Sequence, residues 1–267
     1  MNLKLLLPTY RNRFCFIKKS LNKYGSKHKF DAVLNLGSGE GDYDAMIADF
    51  GEKIVSCDIN EADVAFAKQL NAGIDNLNYQ IENALELSFS DNTFDLITSM
   101  EVIEHVGEPR KMMEEVARII KDGGYLFITF PSLNFPFSYD PINRILSYFG
   151  DKKIAQGAYA FGHDYLIDPS IFEQWITDLG FEIIEERNMG GYLIGSLEVY
   201  WTGWIQKLLK ANSANINTGN TQGMTIRPST KEPWLVKITD ILLSIDHLLF
   251  GKMKNSIGKA FVLKKKV

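Results

Sequence analysis

The sequence predicts an α/β protein: a doubly wound, mostly parallel seven-stranded sheet with a helical insertion before the last strand. Short apolar runs alternate with helix-compatible segments, glycine-containing turns separate them, and a stretch of different character interrupts the alternation near the C-terminus. Strands alternating with helices force a parallel sheet covered on both faces, because each right-handed crossover lays its helix against the sheet.

A helical segment is expected over residues 1–29, ahead of a core spanning 30–189. The core opens with the apolar run AVLNL (32–36), which breaks into glycines, and with helical spacing from Tyr43 to Phe50 that Gly51 ends. A second cycle follows, with KIVSCDI (53–59) as a buried strand and Glu61 to Asn71 as a helix. Strands are then expected at Leu77–Glu82 and Phe94–Met100, a helix at Pro109–Ile120, a turn at Asp122-Gly123-Gly124 and a strand at Tyr125–Phe130. After a loop-rich stretch from Pro131 to Leu166, a helix from Pro169 to Leu179 ends at Gly180 and leads into a strand at Phe181–Arg187. The last strand falls in 259–267, around Ala260–Leu263.

The insertion, 190–258, carries two amphipathic segments. Leu197, Tyr200, Trp201, Trp204, Ile205, Leu208 and Leu209 recur at helical spacing, as do Trp234, Ile238, Ile241, Leu242, Ile245, Leu248 and Leu249. Between them, 211–233 is rich in Asn, Thr and Gly and is expected to be a mobile loop. Tryptophans with Lys207 and Lys210 nearby suit peripheral contact with a membrane, whereas Asp240 and Asp246 would oppose anionic lipid, which leaves a lid or a dimer interface as the rival reading.

Composition narrows the classes of function. With 45% hydrophobic and 23% charged residues over 267 positions, the chain can bury a full core. Cys15 and Cys57 are too few for a disulfide framework, which favours a reducing compartment. Lys and Arg number 29 against 33 Asp and Glu, so no nucleic acid partner is expected. The apolar run Leu5–Leu7 is too short for a secretory signal, and no stretch approaches the roughly 20 apolar residues that span a bilayer. A cytoplasmic protein is expected, at most peripheral at the inner face of a membrane. His28, His105, His163 and His247 are scattered without ligand spacing, so no metal is expected.

The sharpest local signal is Leu36-Gly37-Ser38-Gly39-Glu40-Gly41, three glycines at alternate positions between a strand and a helix. Glycine permits positive φ and removes the Cβ, so such a loop can turn tightly under a nucleoside, although a plain tight turn uses the same residues. A dinucleotide fingerprint, G-x-G-x-x-G, would need glycine where Asp42 stands, and Asp42 puts negative charge where a pyrophosphate would approach. A ligand without phosphates, such as S-adenosylmethionine, is favoured. Asp58, 17 positions after Gly41, is placed to accept hydrogen bonds from both ribose hydroxyls, while Asn60 can cap the following helix.

In order and spacing, VLNLGSGEG, IVSCDIN, ENALELSFSDNTFDLITSMEVIEHV and RIIKDGGYLFITFPS resemble class I S-adenosylmethionine-dependent methyltransferases. The match covers about residues 30–187 and looks most like the broad subgroup of quinone, small-molecule and sugar methyltransferases. The resemblance implies a Rossmann-like methyltransferase fold, S-adenosyl-L-methionine as cofactor, and methylation of an O, N or C atom of a small-molecule, sugar or lipid-linked acceptor. It places Gly37, Ser38, Gly39 and Gly41 along the methionine and ribose, Asp58 on the ribose, Ile59 beside adenine, Asn83 and Ala84 at the adenine edge, and Met100 and Glu101 near the sulfonium. Asn35 and Asn83 depart from the acids common at those positions. His105 and His163 are the candidate catalytic groups, each with loop anchoring as the structural alternative. A non-catalytic cofactor-binding or scaffold module and a dehydrogenase are the competing classes.

Overall fold

In the computed structural model, which describes residues 2–134, 148–150, 166–197, 228–229 and 231–267, a short 3-10 helix (Leu3–Leu6) leads into helix α1 (Pro8–Gly25). The strands are β1 (Phe30–Leu36), β2 (Gly51–Asp58), β3 (Leu77–Ile81), β4 (Phe94–Met100), β5 (Ile120–Pro131), β6 (Phe181–Asn188) and β7 (Gly258–Lys265). Between them lie α2 (Asp44–Ala48), α3 (Glu61–Leu70), α4 (Pro109–Ile119), α5 (Pro169–Asp178), α6 (Tyr192–Ser196) and α7 (Val236–Phe250). Local chemistry sets the starts: Asn60 Oδ1 accepts from Ala62 N and Asp63 N at α3, Asp168 accepts from Ser170 N at α5, and Pro8, Pro109 and Pro169 occupy first-turn positions where a missing N–H does no harm.

The sheet order is β3-β2-β1-β4-β5-β7-β6. Neighbours pair in parallel except that β7 runs antiparallel between β5 and β6. The mostly parallel seven-stranded sheet is therefore as expected. One face packs on α4 and α5 through Met112, Met113, Val116, Phe172 and Ile176. The other packs on α1, α2 and the start of α7 through Phe16, Ile17, Leu21, Ile47 and Val236. Strands buried on both faces account for the near-continuous apolar runs that made them legible.

Some boundaries differ from expectation. Gly51 does not merely stop a helix; it opens β2, paired with Phe30. The helix before it is only Asp44–Ala48, and Ile59 lies beyond the end of β2. Asp122-Gly123-Gly124 is not a turn between elements but part of β5. The register passes from Phe94↔Ile120 to Leu96↔Tyr125, and Gly123, at φ 77°, lets the extra residues bulge out. Most of the first amphipathic segment of the insertion, including Trp201, Trp204, Lys207 and Lys210, lies outside the described residues, as does most of 211–233. Among the described residues no helix is long and apolar enough to cross a membrane.

Candidate functional site

The carboxyl ends of the parallel strands face one edge of the sheet, and chain order reverses there between β1 and β4. A crevice forms at such a reversal because the loops on either side lead to opposite faces. The loop after β1 enters it from one side. Gly37, Gly39 and Gly41 have φ of 72°, 51° and 78°, all in the region that favours glycine. The three positions are nevertheless unlike. A Cβ at Gly37 would overlap the Val102 side chain, and one at Gly41 would lie 2.8 Å from Ala67, Asn71 and Asp44, whereas one at Gly39 would meet nothing within 4 Å. Gly37 and Gly41 thus answer packing, and Gly39 leaves an open approach. Ser38 adds a buried hydroxyl without a hydrogen-bond partner among the described residues. An orphaned donor beside an open approach fits a polar ligand seated on the loop.

Asp58, at the end of β2, accepts from Gly39 N at 2.8 Å and from Asn60 N at 2.9 Å, one through each carboxylate oxygen. Each oxygen keeps a further lone pair for a ligand hydroxyl. Ile59 next to it is 69% exposed, and Ile81, opposite Asp58 in the register, is 52% exposed. These apolar side chains lie open at the ends of two strands. Asn83 turns its Oδ1 to Leu85 N at 3.0 Å, and Ala84 packs on the core beneath.

Across the crevice, Met100 ends β4 with its side chain buried in the core cluster. The adjacent Glu101 stands at φ 57°, an uncommon backbone state for a residue with a side chain, of the kind that gathers at functional sites. Its carboxylate accepts from Thr129 Oγ1 at 2.8 Å and pairs with Arg13 of α1 at 3.0 Å. Glu104 follows, fully buried, and both that burial and the charge of Glu101 push its carboxyl well above the usual range. His105 is exposed, with Nε2 3.9 Å from Glu104 Oε1. His163 lies outside the described residues.

The N-terminal segment closes this edge, a role its sequence did not announce. Lys4 Nζ lies 3.1 Å from both Glu40 and Asp42, and Tyr10 donates to Asp42 at 2.6 Å while stacking on Tyr43. Burial pushes the Tyr43 hydroxyl up to about 12 and raises that of Tyr10 as well, keeping both phenols neutral. Beneath the loop, Asp44 has no exposure and accepts from Asn35 Nδ2, Ser56 Oγ and Tyr79 OH. Asn35, where an acid is common, therefore holds an acid supplied from the next helix.

Comparison with known proteins fits this geometry. Residues 34–128 match the family described as "Methyltransferase domain". A ubiquinone biosynthesis O-methyltransferase of Coxiella burnetii is 30% identical over 181 residues, spanning 65% of this chain and 70% of that protein. A demethylmenaquinone methyltransferase of Clavibacter sepedonicus is 28% identical over 170 residues, or 60% and 69% of the two chains. Among solved structures, the [4+2]-cyclase SpnF shares the fold, with a TM-score of 0.58, 16% identity and coverage of 94% of this chain and 81% of that one. The chain belongs to the class I S-adenosylmethionine-dependent methyltransferases, and its cofactor is S-adenosyl-L-methionine. That a cyclase shares the fold is a reminder that acceptor chemistry is decided by the site and its loops.

Proposed function

We propose that the protein transfers a methyl group from S-adenosylmethionine to an oxygen or carbon of a quinone-type, lipid-linked small molecule. The observation that carries this reading is the β1 loop, where the orphaned Ser38 hydroxyl and the open approach at Gly39 lie beside Asp58. The quinone assignment draws on the relatives, both named for quinone methylation. Gly37, Ser38, Gly39 and Gly41 would line the methionine and ribose, Asp58 would hold the ribose hydroxyls, Ile59 would cover one adenine face, and Asn83 and Ala84 would meet its edge. At this edge Glu40, Asp42, Asp58 and Glu101 outnumber Lys4 and Arg13, which suits a cofactor whose sulfonium and amino group outweigh its one carboxylate.

The cofactor supplies an electrophilic methyl carbon and a neutral leaving group. This chain's own part is alignment and water exclusion, with Met100 and Glu101 at the end of β4 and α1 closing the edge above them. Where the acceptor must lose a proton, His105 or His163 would take it.

Calorimetry with S-adenosylmethionine tests the cofactor half: Asp58→Ala should weaken binding at least about tenfold, the effect of removing a charged hydrogen-bond acceptor. The acceptor half is tested by incubating the protein with hydroxylated quinol, sugar and amine acceptors and following S-adenosylhomocysteine by mass spectrometry. Product from the quinols alone supports the reading. Tight cofactor binding with no product from any acceptor would leave a non-catalytic binding module.

A further inference from the structure

Helix α7 carries apolar side chains on its outer face as well as on the face that packs on the protein. Its buried positions include Thr239 and Asp246, while Ile238, Ile241, Ile245, Leu248 and Leu249 face outward together with Trp234 just before its first turn. At 100° per residue these six side chains fall within an arc of about 100°, forming one row. The exposure is large, reaching 75% at Trp234 and 83% at Leu248. Contiguous apolar rows of this kind mark interaction sites, where scattered single residues do not.

Of the nearby carboxylates Asp246 is buried, while Asp240 and Glu232 stay partly exposed and share Arg11. Asp240 takes a bidentate bond from Arg11, Nε to Oδ1 at 2.8 Å and NH2 to Oδ2 at 3.0 Å. Asp246 accepts from Gly191 N, Leu193 N and Ile194 N, which caps α6. Glu232 also pairs with Arg11. Beside the row the exposed lysines Lys231, Lys237, Lys252 and Lys254 outnumber the partly exposed acids Glu232 and Asp240.

The helix also lies along the carboxyl edge of the sheet. Near its start Thr239 donates to Leu6 O, close to the Lys4 that grips the glycine loop, and just past its end Gly251 O and Met253 O accept from Asn188 at the end of β6.

We propose that this face docks on an anionic lipid bilayer, with the row from Trp234 to Leu249 in the boundary between headgroups and acyl chains and the lysines on the headgroups. Charge complementarity selects that occupant. A second copy paired across a two-fold axis would set these lysines against the same lysines, whereas an anionic surface neutralises them. Docking would turn the cofactor edge toward the lipid, and it follows from the α7 surface whatever acceptor is methylated.

Flotation of the full chain with vesicles at physiological salt tests the proposal. The protein should float with phosphatidylcholine–phosphatidylglycerol vesicles and stay behind with phosphatidylcholine alone. Ile241→Glu combined with Leu248→Glu should lower the partition at least about tenfold, since each replaces buried apolar area by charge. Lys237→Glu should lower it about fivefold or more, given the attraction per surface lysine. All three positions are exposed, so melting temperature and cofactor affinity should match the parent protein. Absence of flotation with either vesicle overturns the proposal, as does flotation that the double variant leaves unchanged. A stable dimer that the double variant disperses, with no flotation, assigns the face to a second copy and overturns it equally.

Discussion

Asp44 Oδ1 accepts from Asn35 Nδ2 and Ser56 Oγ at 2.7 Å each, and Oδ2 accepts from Tyr79 OH at 2.8 Å. Burial outweighs these three donors and leaves its carboxyl above the usual range. Asp44→Ala would strand all three donors, and urea denaturation should show a loss of about 3 kcal/mol. Glu104 goes further in the same direction, because the neighbouring Glu101 adds to burial and its carboxyl rises well above the ordinary range. A carboxyl raised in the folded state contributes stability that is present below its unfolded titration range and is lost as pH rises through the folded one. Glu104→Gln removes that loss. Melting temperatures from acid to alkaline pH should therefore show the variant gaining on the parent as pH rises, and a constant difference would contradict this.

For the β1 loop, two glycines with similar dihedral angles should fail differently. Gly37→Ala must push aside Val102 and adopt φ near 72°, so about 2 kcal/mol or more of stability should be lost in thermal melts. Gly39→Ala meets no atom of the protein, and its main effect should be weaker S-adenosylmethionine binding by calorimetry, with about 1 kcal/mol of backbone cost. The loop and its strand were legible because glycine spacing and an apolar run are local signals. So was β4, from Phe94 to Met100, expected and found with the same ends. Gly123 was harder, since a glycine pair between a helix and a strand reads as a turn and only the neighbouring strand's register reveals a bulge. The closure by α1 was illegible for a related reason. Arg13 meets Glu101 across 88 positions, and nothing local marks either residue as the other's partner.

Across the whole molecule, α1 and α7 are coupled to the sheet and to each other. Phe16, Ile17 and Leu21 share a core cluster with Leu96, Phe127 and Val262, and Val236 of α7 joins it. Arg11 is the polar counterpart of that packing, mostly buried and held by Asp240. Asp240→Ala would leave the guanidinium with the longer Glu232 contact and the Phe14 ring, and a loss of about 2 kcal/mol is expected in thermal melts. The orientation of α7 could not be read from its sequence, because hydrophobic spacing identifies an apolar face without saying whether protein or solvent meets it.

The antiparallel β7 also sets an order in time. It hydrogen-bonds to β5 on one side and β6 on the other, so neither can complete its pairing until residues 258–265 exist. Between the end of β6 at Asn188 and the start of β7 at Gly258 the ribosome must add the whole insertion, which takes roughly 3–14 s at ordinary synthesis rates. Throughout that interval β5 presents an open strand edge carrying Leu126, Phe127 and Ile128, the kind of edge that recruits other chains. The nascent protein is thus most vulnerable to aggregation while its insertion is being made, and factors that shield strand edges should matter most in that window.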